Sequence, residues 1–125
     1  MIKFKSLNQS KDFLKILKKK RINAKYFTIY FAKISKNFQS NSNTFLNISF
    51  VMKKNIGNAV TRNKIKRKLK AAVQKISKKT KSINLDYTYV IFGKNNVYQD
   101  KFALVFDEVN GTFKKINEMG KQLWN

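Results

Sequence analysis

The chain has 125 residues, and its 28 lysine and arginine residues against 6 aspartate and glutamate residues give a formal net charge of +22. It contains no cysteine and no histidine. A disulfide framework, thiolate or imidazole metal sites and the commonest catalytic bases and nucleophiles are therefore excluded. A charge excess of this size predicts a polyanionic partner, bound through the release of counterions.

The length fits one domain over residues 1–125. No apolar run approaches the ~18 residues that a membrane-spanning helix needs, and the N-terminus lacks the charged-then-apolar layout of a signal peptide. We expect a soluble, cytoplasmic protein without a membrane partner.

The spacing of apolar residues predicts the elements. In chain order these begin with a helix over 11–20, followed by two strands over 26–33 and 44–52 that a polar hairpin loop over 36–43 joins. A helix then runs from the turn at Gly57 to about Ser77, and a strand over 87–93 and a helix over 99–123 complete the chain. The order α-β-β-α-β-α predicts an α/β (α+β) two-layer sandwich in which helices cover a small sheet. The run from Lys18 to Arg21 is interpreted as charge at a helix end, complementing the helix dipole, or as an extra contact to the polyanionic partner. The apolar stripe of the last helix consists of Phe102, Val105, Phe106, Val109 and Phe113, and Gly111 is expected to perturb this helix.

Residues 56–70 read I-G-N-A-V-T-R-N-K-I-K-R-K-L-K, a turn followed by a helix that is apolar on one side and basic on the other. The apolar stripe consists of Ile65, Leu69, Ala72, Val73 and Ile76. Arg62, Lys66 and Lys70 form a basic ridge, and no acid occurs between Asp12 and Asp86. Like charges four residues apart destabilise a helix, and a polyanionic partner would compensate for that cost. The alternative is an ordinary solvated basic helix.

The string G-N-A-V-T-R-N-K-I-K-R-K-L-K over 57–70 resembles the signature of the bacterial ribonuclease P protein subunit, G-N-A-V-x-R-N-R-x-K-R-x-x-R. Lys64 and Lys70 stand where the family usually has arginine. The resemblance implies a fold like the second domain of ribosomal protein S5, with a left-handed β-α-β crossover around the basic helix. It also implies a function: the subunit binds the catalytic RNA and the 5′ leader of precursor tRNA, and so promotes the endonucleolytic cut that generates the mature tRNA 5′ end.

The resemblance further implies which residues bind the RNA subunit. These are Asn58, Arg62, Asn63, Lys64, Lys66, Arg67 and Lys70, with arginine forking onto phosphates and lysine acting as a point charge. Lys53 and Lys54 resemble the family's Lys-Lys pair, although one residue more than usual separates them from Gly57. They are interpreted either as RNA contacts or as a polar strand end.

A cleft for the 5′ leader is implied by Phe13 and Tyr30, which match aromatic positions of the family, and by Leu17, where the family often has a second aromatic residue. Aromatic rings stack on unpaired bases without requiring a sequence. The alternative is that these side chains belong to the core.

No catalytic residue is predicted for the chain itself. Asp107 and Glu108 are the only adjacent acids, and neighbours on a helix point about 100° apart, so they do not converge on a metal ion. The resemblance implies that the RNA subunit performs catalysis and that its phosphates chiefly hold the Mg²⁺ ions. The implied partners are ribonuclease P RNA, bound 1:1 without a required homo-oligomer, and precursor tRNA.

Two alternatives remain open. A ribosomal or other structural RNA-binding protein of similar fold would bind RNA and confer no cleavage. A polybasic protein acting on membranes or DNA would bind by charge alone. Binding by charge alone does not require Gly57, Asn58 and Asn63, so the ordered motif argues against this second alternative.

Overall fold

The structure, a computed structural model, describes residues 3–5, 16–17, 20–33, 45–79, 83 and 87–123. Ile16 and Leu17 are helical. The strands are β1 (Lys3–Lys5), β2 (Lys20–Asn23), β3 (Phe27–Lys33), β4 (Phe45–Val51) and β5 (Tyr87–Gly93). A 3-10 helix covers Lys54–Ile56, and the α-helices are α1 (Ala59–Lys79), α2 (Asn96–Gln99) and α3 (Phe102–Leu123). The mixed α+β class predicted from the sequence is confirmed.

The five strands form one sheet in the order β1-β4-β5-β3-β2. β4 is parallel to both of its neighbours, β1 and β5, whereas β3 is antiparallel to both β5 and β2. α1 connects β4 to its neighbour β5, as a parallel pair requires. The hand of that crossover and the likeness to ribosomal protein S5 stay predictions.

The main core lies between one face of the sheet and the helices α1 and α3. On β3, Phe27, Ile29 and Phe31 are fully buried in this core, so alternation places Thr28, Tyr30 and Ala32 on the other face. Both helices contribute the apolar stripes predicted for them. The stripe of α1 is buried at Ile65, Leu69, Ala72, Val73 and Ile76. The stripe of α3 is buried at Val105, Val109 and Phe113 and half-buried at Phe102 and Phe106. The helical periodicity was thus a correct guide to how α1 and α3 dock on the sheet.

Two strands were not predicted from the sequence. β2 begins at Lys20 and pairs its residues Lys20 and Arg21 with Phe31 and Tyr30 of β3. The prediction of a helix through residue 20, and of helix-end charge at Lys20 and Arg21, is therefore wrong. A strand of four mostly exposed residues has little periodicity of its own, and its conformation is set by the ladder that it forms with β3. The predicted loop over 36–43 lies outside the described residues.

The last helix differs from its prediction at its start and at Gly111. Residues 96–99 form the separate short helix α2, and Asp100 follows in an extended conformation with φ −82° and ψ 155°. α3 then begins at Phe102 and continues without a break to Leu123. Gly111 is exposed and does not interrupt it, because the buried residues on either side hold the helix against the core.

A buried tyrosine ties the β2–β3 turn to the junction between α2 and α3. The Tyr26 hydroxyl donates a hydrogen bond of 2.6 Å to Asp100 Oδ2. This hydrogen bond, burial, and the charges of Asp100 and Glu108 raise the pKa of Tyr26 to about 12. The backbone N–H of Lys25 also donates to Glu108 Oε1, so the same turn is held by α3.

Tyr26→Phe is expected to remove a pH-dependent part of the stability. Because folding raises the pKa of Tyr26 above its ordinary value of 10.0, the stabilisation is complete below pH 10 and is lost as the pH rises through about 12. Urea unfolding of both proteins should show a difference in unfolding free energy that is constant up to pH 10 and shrinks above it. A difference that grows with pH in this range would contradict the assigned hydrogen bond.

Candidate nucleic-acid interface

The interface begins at a glycine in a conformation that other residues rarely adopt. Gly57 has φ 155° and ψ −168°, a region almost restricted to glycine. A Cβ built on Gly57 would also lie 3.3 Å from Cβ and Cγ2 of Thr61. Gly57 thus allows the chain to turn sharply from the 3-10 helix into α1.

Asn58 caps the first turn of α1. Its Oδ1 accepts a 2.9 Å hydrogen bond from the backbone N–H of Thr61, and its backbone carbonyl accepts a 3.0 Å hydrogen bond from Arg62 N–H. An asparagine at this position satisfies a backbone donor that the helix itself leaves free. The Gly-Asn pair therefore has a structural role, which sets where the helix begins and which way its side chains point.

α1 separates its polar side chains from the core. Exposed on its solvent side are five residues implied by the resemblance, namely Asn63, Lys64, Lys66, Arg67 and Lys70. Arg62 is half-buried, and its Nε is buried without a hydrogen-bond partner within the described residues. A donor of this kind is costly to leave unpaired, so Arg62 is suited to an incoming acceptor such as a phosphate oxygen.

Lys68 differs from the other basic residues of α1 because it points toward the protein. Its Nζ donates a 2.8 Å hydrogen bond to the carbonyl of Val97 in α2 and a second one to the carbonyl of Asp100. Lys75 is exposed, but its Nζ lies 5.2 Å from the centre of the Phe106 ring in α3. These two lysines join α1 to the C-terminal helices.

Lys53 and Lys54 lie between β4 and Gly57. Both are exposed; Lys53 precedes the 3-10 helix and Lys54 is its first residue. β4 ends at Val51, and the Lys53 carbonyl accepts a 3.1 Å hydrogen bond from Ile56 N–H. The two lysines thus stand in a turn next to the start of α1, and their contact with RNA stays a prediction.

The structure describes two of the three residues predicted for the leader cleft, Tyr30 and Leu17. Tyr30 is half-buried on the sheet face opposite the main core, with its ring edge-on to Phe92 at 5.5 Å. Leu17 is half-buried in a helical conformation. Phe13 lies outside the described residues, so the cleft itself stays a prediction.

One exposed aromatic residue beside α1 was missed by the sequence reasoning. Tyr98 on α2 exposes 45% of its surface, and Lys64 Nζ lies 5.5 Å from its ring centre. A tyrosine in a polar segment carries no periodic signal, so only the packing of α2 against α1 reveals the pair.

The described residues provide no protein cage for a metal ion. Among them, no group of three or more aspartate, glutamate, histidine or cysteine side chains could hold one. In the same part of the chain, no helix is both long and apolar enough to cross a membrane.

Comparison with known proteins identifies the family. The family model described as Ribonuclease P matches residues 1–117. The chain belongs to this ribonuclease P protein family. It is similar to the ribonuclease P protein component of Paramagnetospirillum magneticum, with 28% identity over 76 residues, 61% of this chain and 56% of that protein. The matched part thus spans little more than half the length of that relative.

Solved structures of the family share the fold. One is the Staphylococcus aureus RNase P protein mutant with defective mRNA degradation activity, with a TM-score of 0.71, 19% identity, and coverage of 90% of this chain and 87% of that one. Another is the RNase P protein from Thermotoga maritima, with a TM-score of 0.64, 22% identity, and coverage of 89% and 96% respectively. At these identities the likeness concerns the fold alone.

Proposed function

We propose that this protein is the RNA-binding subunit of a ribonuclease P, which binds the catalytic RNA through α1 and the turn before it. The observation that carries the proposal is the arrangement of residues 57–70. A glycine-dependent turn and an asparagine cap begin a helix whose solvent side carries exposed basic residues. Its Arg62 holds a buried donor that has no hydrogen-bond partner among the residues that the structure describes. Membership of the ribonuclease P family supports the choice of this RNA over any other polyanion.

Electrostatics explain what the protein would contribute. A folded RNA concentrates phosphate charge, and a basic helix that neutralises several phosphates releases their counterions. The helix begins with the positive end of its dipole, and no acid lies in its first turn. Bound in this way, the protein would stabilise the active RNA fold when divalent ions are scarce. The Mg²⁺ ions of the reaction would be held chiefly by RNA phosphates, since the described residues offer them no cage.

The substrate would be precursor tRNA, cut at the junction between the 5′ leader and the mature sequence. Tyr30, on the sheet face opposite the main core, is the described residue best suited to contact leader nucleotides by stacking. This contact would favour precursor over mature tRNA, because only the precursor carries a leader.

The proposal predicts that the protein restores precursor tRNA cleavage by a bacterial ribonuclease P RNA at low, near-physiological Mg²⁺. Cleavage rates should be measured with and without the protein, and the product mapped to the mature 5′ end. High Mg²⁺ without protein serves as the control for an active RNA, because excess divalent ion can replace part of the charge neutralisation.

The opposite outcome would favour a structural role. If the protein binds that RNA, and the matched RNA from its own source, yet never promotes cleavage, the ribonuclease P proposal is abandoned for a ribosomal-type RNA-binding protein.

A further inference from the structure

The side of α1 that faces α2 carries a strip of residues spaced four apart. These are Val60, Lys64 and Lys68, which lie on one ridge of the helix. Val60 is 64% exposed, Lys64 Nζ lies over the Tyr98 ring, and Lys68 Nζ binds two carbonyls of the α2 segment. Along this strip the surface therefore changes from apolar at Val60 to basic at Lys64 and Lys68, and the Tyr98 ring of α2 lies beside Lys64.

Tyr98 is exposed, although its backbone is firmly held. The neighbouring Val97 side chain is fully buried, and its carbonyl accepts from Lys68. The Tyr98 N–H donates a 3.0 Å hydrogen bond to the carbonyl of Asn95, and Asn96 Nδ2 donates to the carbonyl of Lys25. An aromatic ring on such a support loses little conformational freedom when it binds a partner.

Exposure of a single hydrophobic residue is ordinary on a protein surface. Here, however, two of the three large hydrophobic residues that are exposed in the described part of the chain, Val60 and Tyr98, lie on either side of Lys64. The nearest acid to Tyr98 along the chain is Asp100, whose carboxylate already accepts from the Tyr26 hydroxyl. Tyr98, Lys64 and Val60 together present an aromatic ring, a positive charge and an aliphatic side chain. Aromatic stacking and positive charge are the features by which proteins bind unpaired nucleotides.

We propose that Tyr98, Lys64 and Val60 form a second RNA contact beside the basic ridge of α1, which takes an unpaired nucleotide of the RNA partner. The base stacks on the exposed part of the Tyr98 ring, the adjacent phosphate binds the Lys64 ammonium, and Val60 packs against the sugar. The nucleotide must be unpaired, because a base inside a duplex does not present its face. This inference rests on the proposed function and extends the RNA-binding surface from α1 onto α2.

Tyr98→Ala is expected to weaken binding to a bacterial ribonuclease P RNA about 5- to 150-fold, the range for one lost base stack. Tyr98→Phe should bind within about twofold of the wild type, since the ring is kept. The dependence of affinity on salt should be unchanged in Tyr98→Ala, whereas Lys64→Gln should reduce the log–log salt slope by about 0.7 to 0.9, because one phosphate contact is lost. Leu104→Ala is the matched control, because Leu104 is also half-exposed but lies on α3.

Stacking can also be detected directly. In a Trp124→Phe background, Tyr98→Trp places the only tryptophan at this site, and its fluorescence should be quenched when the RNA binds. Thermal unfolding followed by circular dichroism should show that Tyr98→Ala keeps the wild-type fold, because the side chain is not part of the core.

The outcomes separate this inference from the proposed function. If the wild type binds the RNA and promotes cleavage but Tyr98→Ala binds as tightly as Leu104→Ala, the second contact is refuted and the proposed function stands. If the wild type does not bind the RNA, both fall. An unquenched tryptophan at position 98 in the bound complex would refute stacking.

Discussion

Replacing Arg62 and Arg67 together by alanine is expected to weaken binding to ribonuclease P RNA at least about a hundredfold. Each arginine is assigned a charge-assisted hydrogen bond to phosphate, which contributes about 1.5–3 kcal/mol. Arg62 holds a buried Nε without a partner in the described residues, and Arg67 is exposed on the same helix. Binding should be measured across a salt series, where losing two phosphate contacts reduces the log–log slope by about 1.5.

Two control variants distinguish specific docking from attraction by charge. Lys114→Ala/Lys115→Ala removes the same two positive charges from exposed positions on α3 and should change affinity much less. Arg62→Lys/Arg67→Lys keeps the charge but loses the planar fork, so its affinity should lie between the wild type and the double alanine variant. If the α3 control loses as much affinity as Arg62→Ala/Arg67→Ala, binding is set by net charge, and the ordered helix is not the docking surface.

In Arg62→Ala/Arg67→Ala, RNA affinity is expected to fall while the thermal stability of the free protein does not. Alanine is the best helix former, and removing like charges from α1 relieves repulsion between neighbouring turns. The double alanine variant is therefore expected to unfold at no lower temperature than the wild type, which thermal unfolding by circular dichroism would check. This opposite behaviour is typical of a surface whose charge serves a partner.

Gly93→Ala is expected to destabilise the protein by about 1–3 kcal/mol, the usual cost of overpacking a core. Gly93 is the buried last residue of β5, and a Cβ there would lie 2.7 Å from Met52 Sδ and 2.9 Å from Ile65 Cγ2. The end of the Met52 side chain can move, whereas Ile65 is fixed on α1. Urea unfolding of the two proteins measures the loss.

A rescue variant and a matched glycine test this explanation. Ile65→Ala removes Cγ2, the atom that crowds the new methyl, so the combined effect of Gly93→Ala and Ile65→Ala should be smaller than the sum of the single effects. Gly111→Ala, at an exposed position of α3 with no atom within 4 Å of the added Cβ, should stabilise the helix by about 0.5–1 kcal/mol. Equal destabilisation by both alanines would contradict a steric role for Gly93.

Gly93 also links the fold to the interface. Because it allows Ile65 to approach the end of β5, it sets how closely α1 lies on the sheet. A displaced α1 would move the whole row of basic residues, so Gly93→Ala should reduce RNA affinity as well as stability. No pattern in the sequence marks this glycine, since a strand-end glycine is equally expected in a turn.

Features that repeat along the chain or follow a family motif could be predicted from the order of the amino acids. The buried stripes of α1 and α3, the strands over β3, β4 and β5, and the family were all predicted, because helical and strand periodicities are local and the order of residues 57–70 is specific. The turn at Gly57 was likewise predicted, and the structure gives its physical reason in the φ of Gly57. That Asn58 caps α1 was not predicted and is shown by the hydrogen bond from Thr61 N–H.

Features that depend on contacts between residues distant in sequence could be seen only in the folded protein. β1 and β2 are short strands whose backbone hydrogen bonds come from β4 and β3, so their own residues carry little signal. The break between α2 and α3 at Asp100 is held by hydrogen bonds from Lys68 on α1 and from Tyr26 in the β2–β3 turn. By pointing toward the protein, Lys68 differs from the exposed lysines beside it on α1. Tyr98 becomes part of the basic surface for the same reason: α2 is packed against α1, and that packing joins residues more than thirty positions apart.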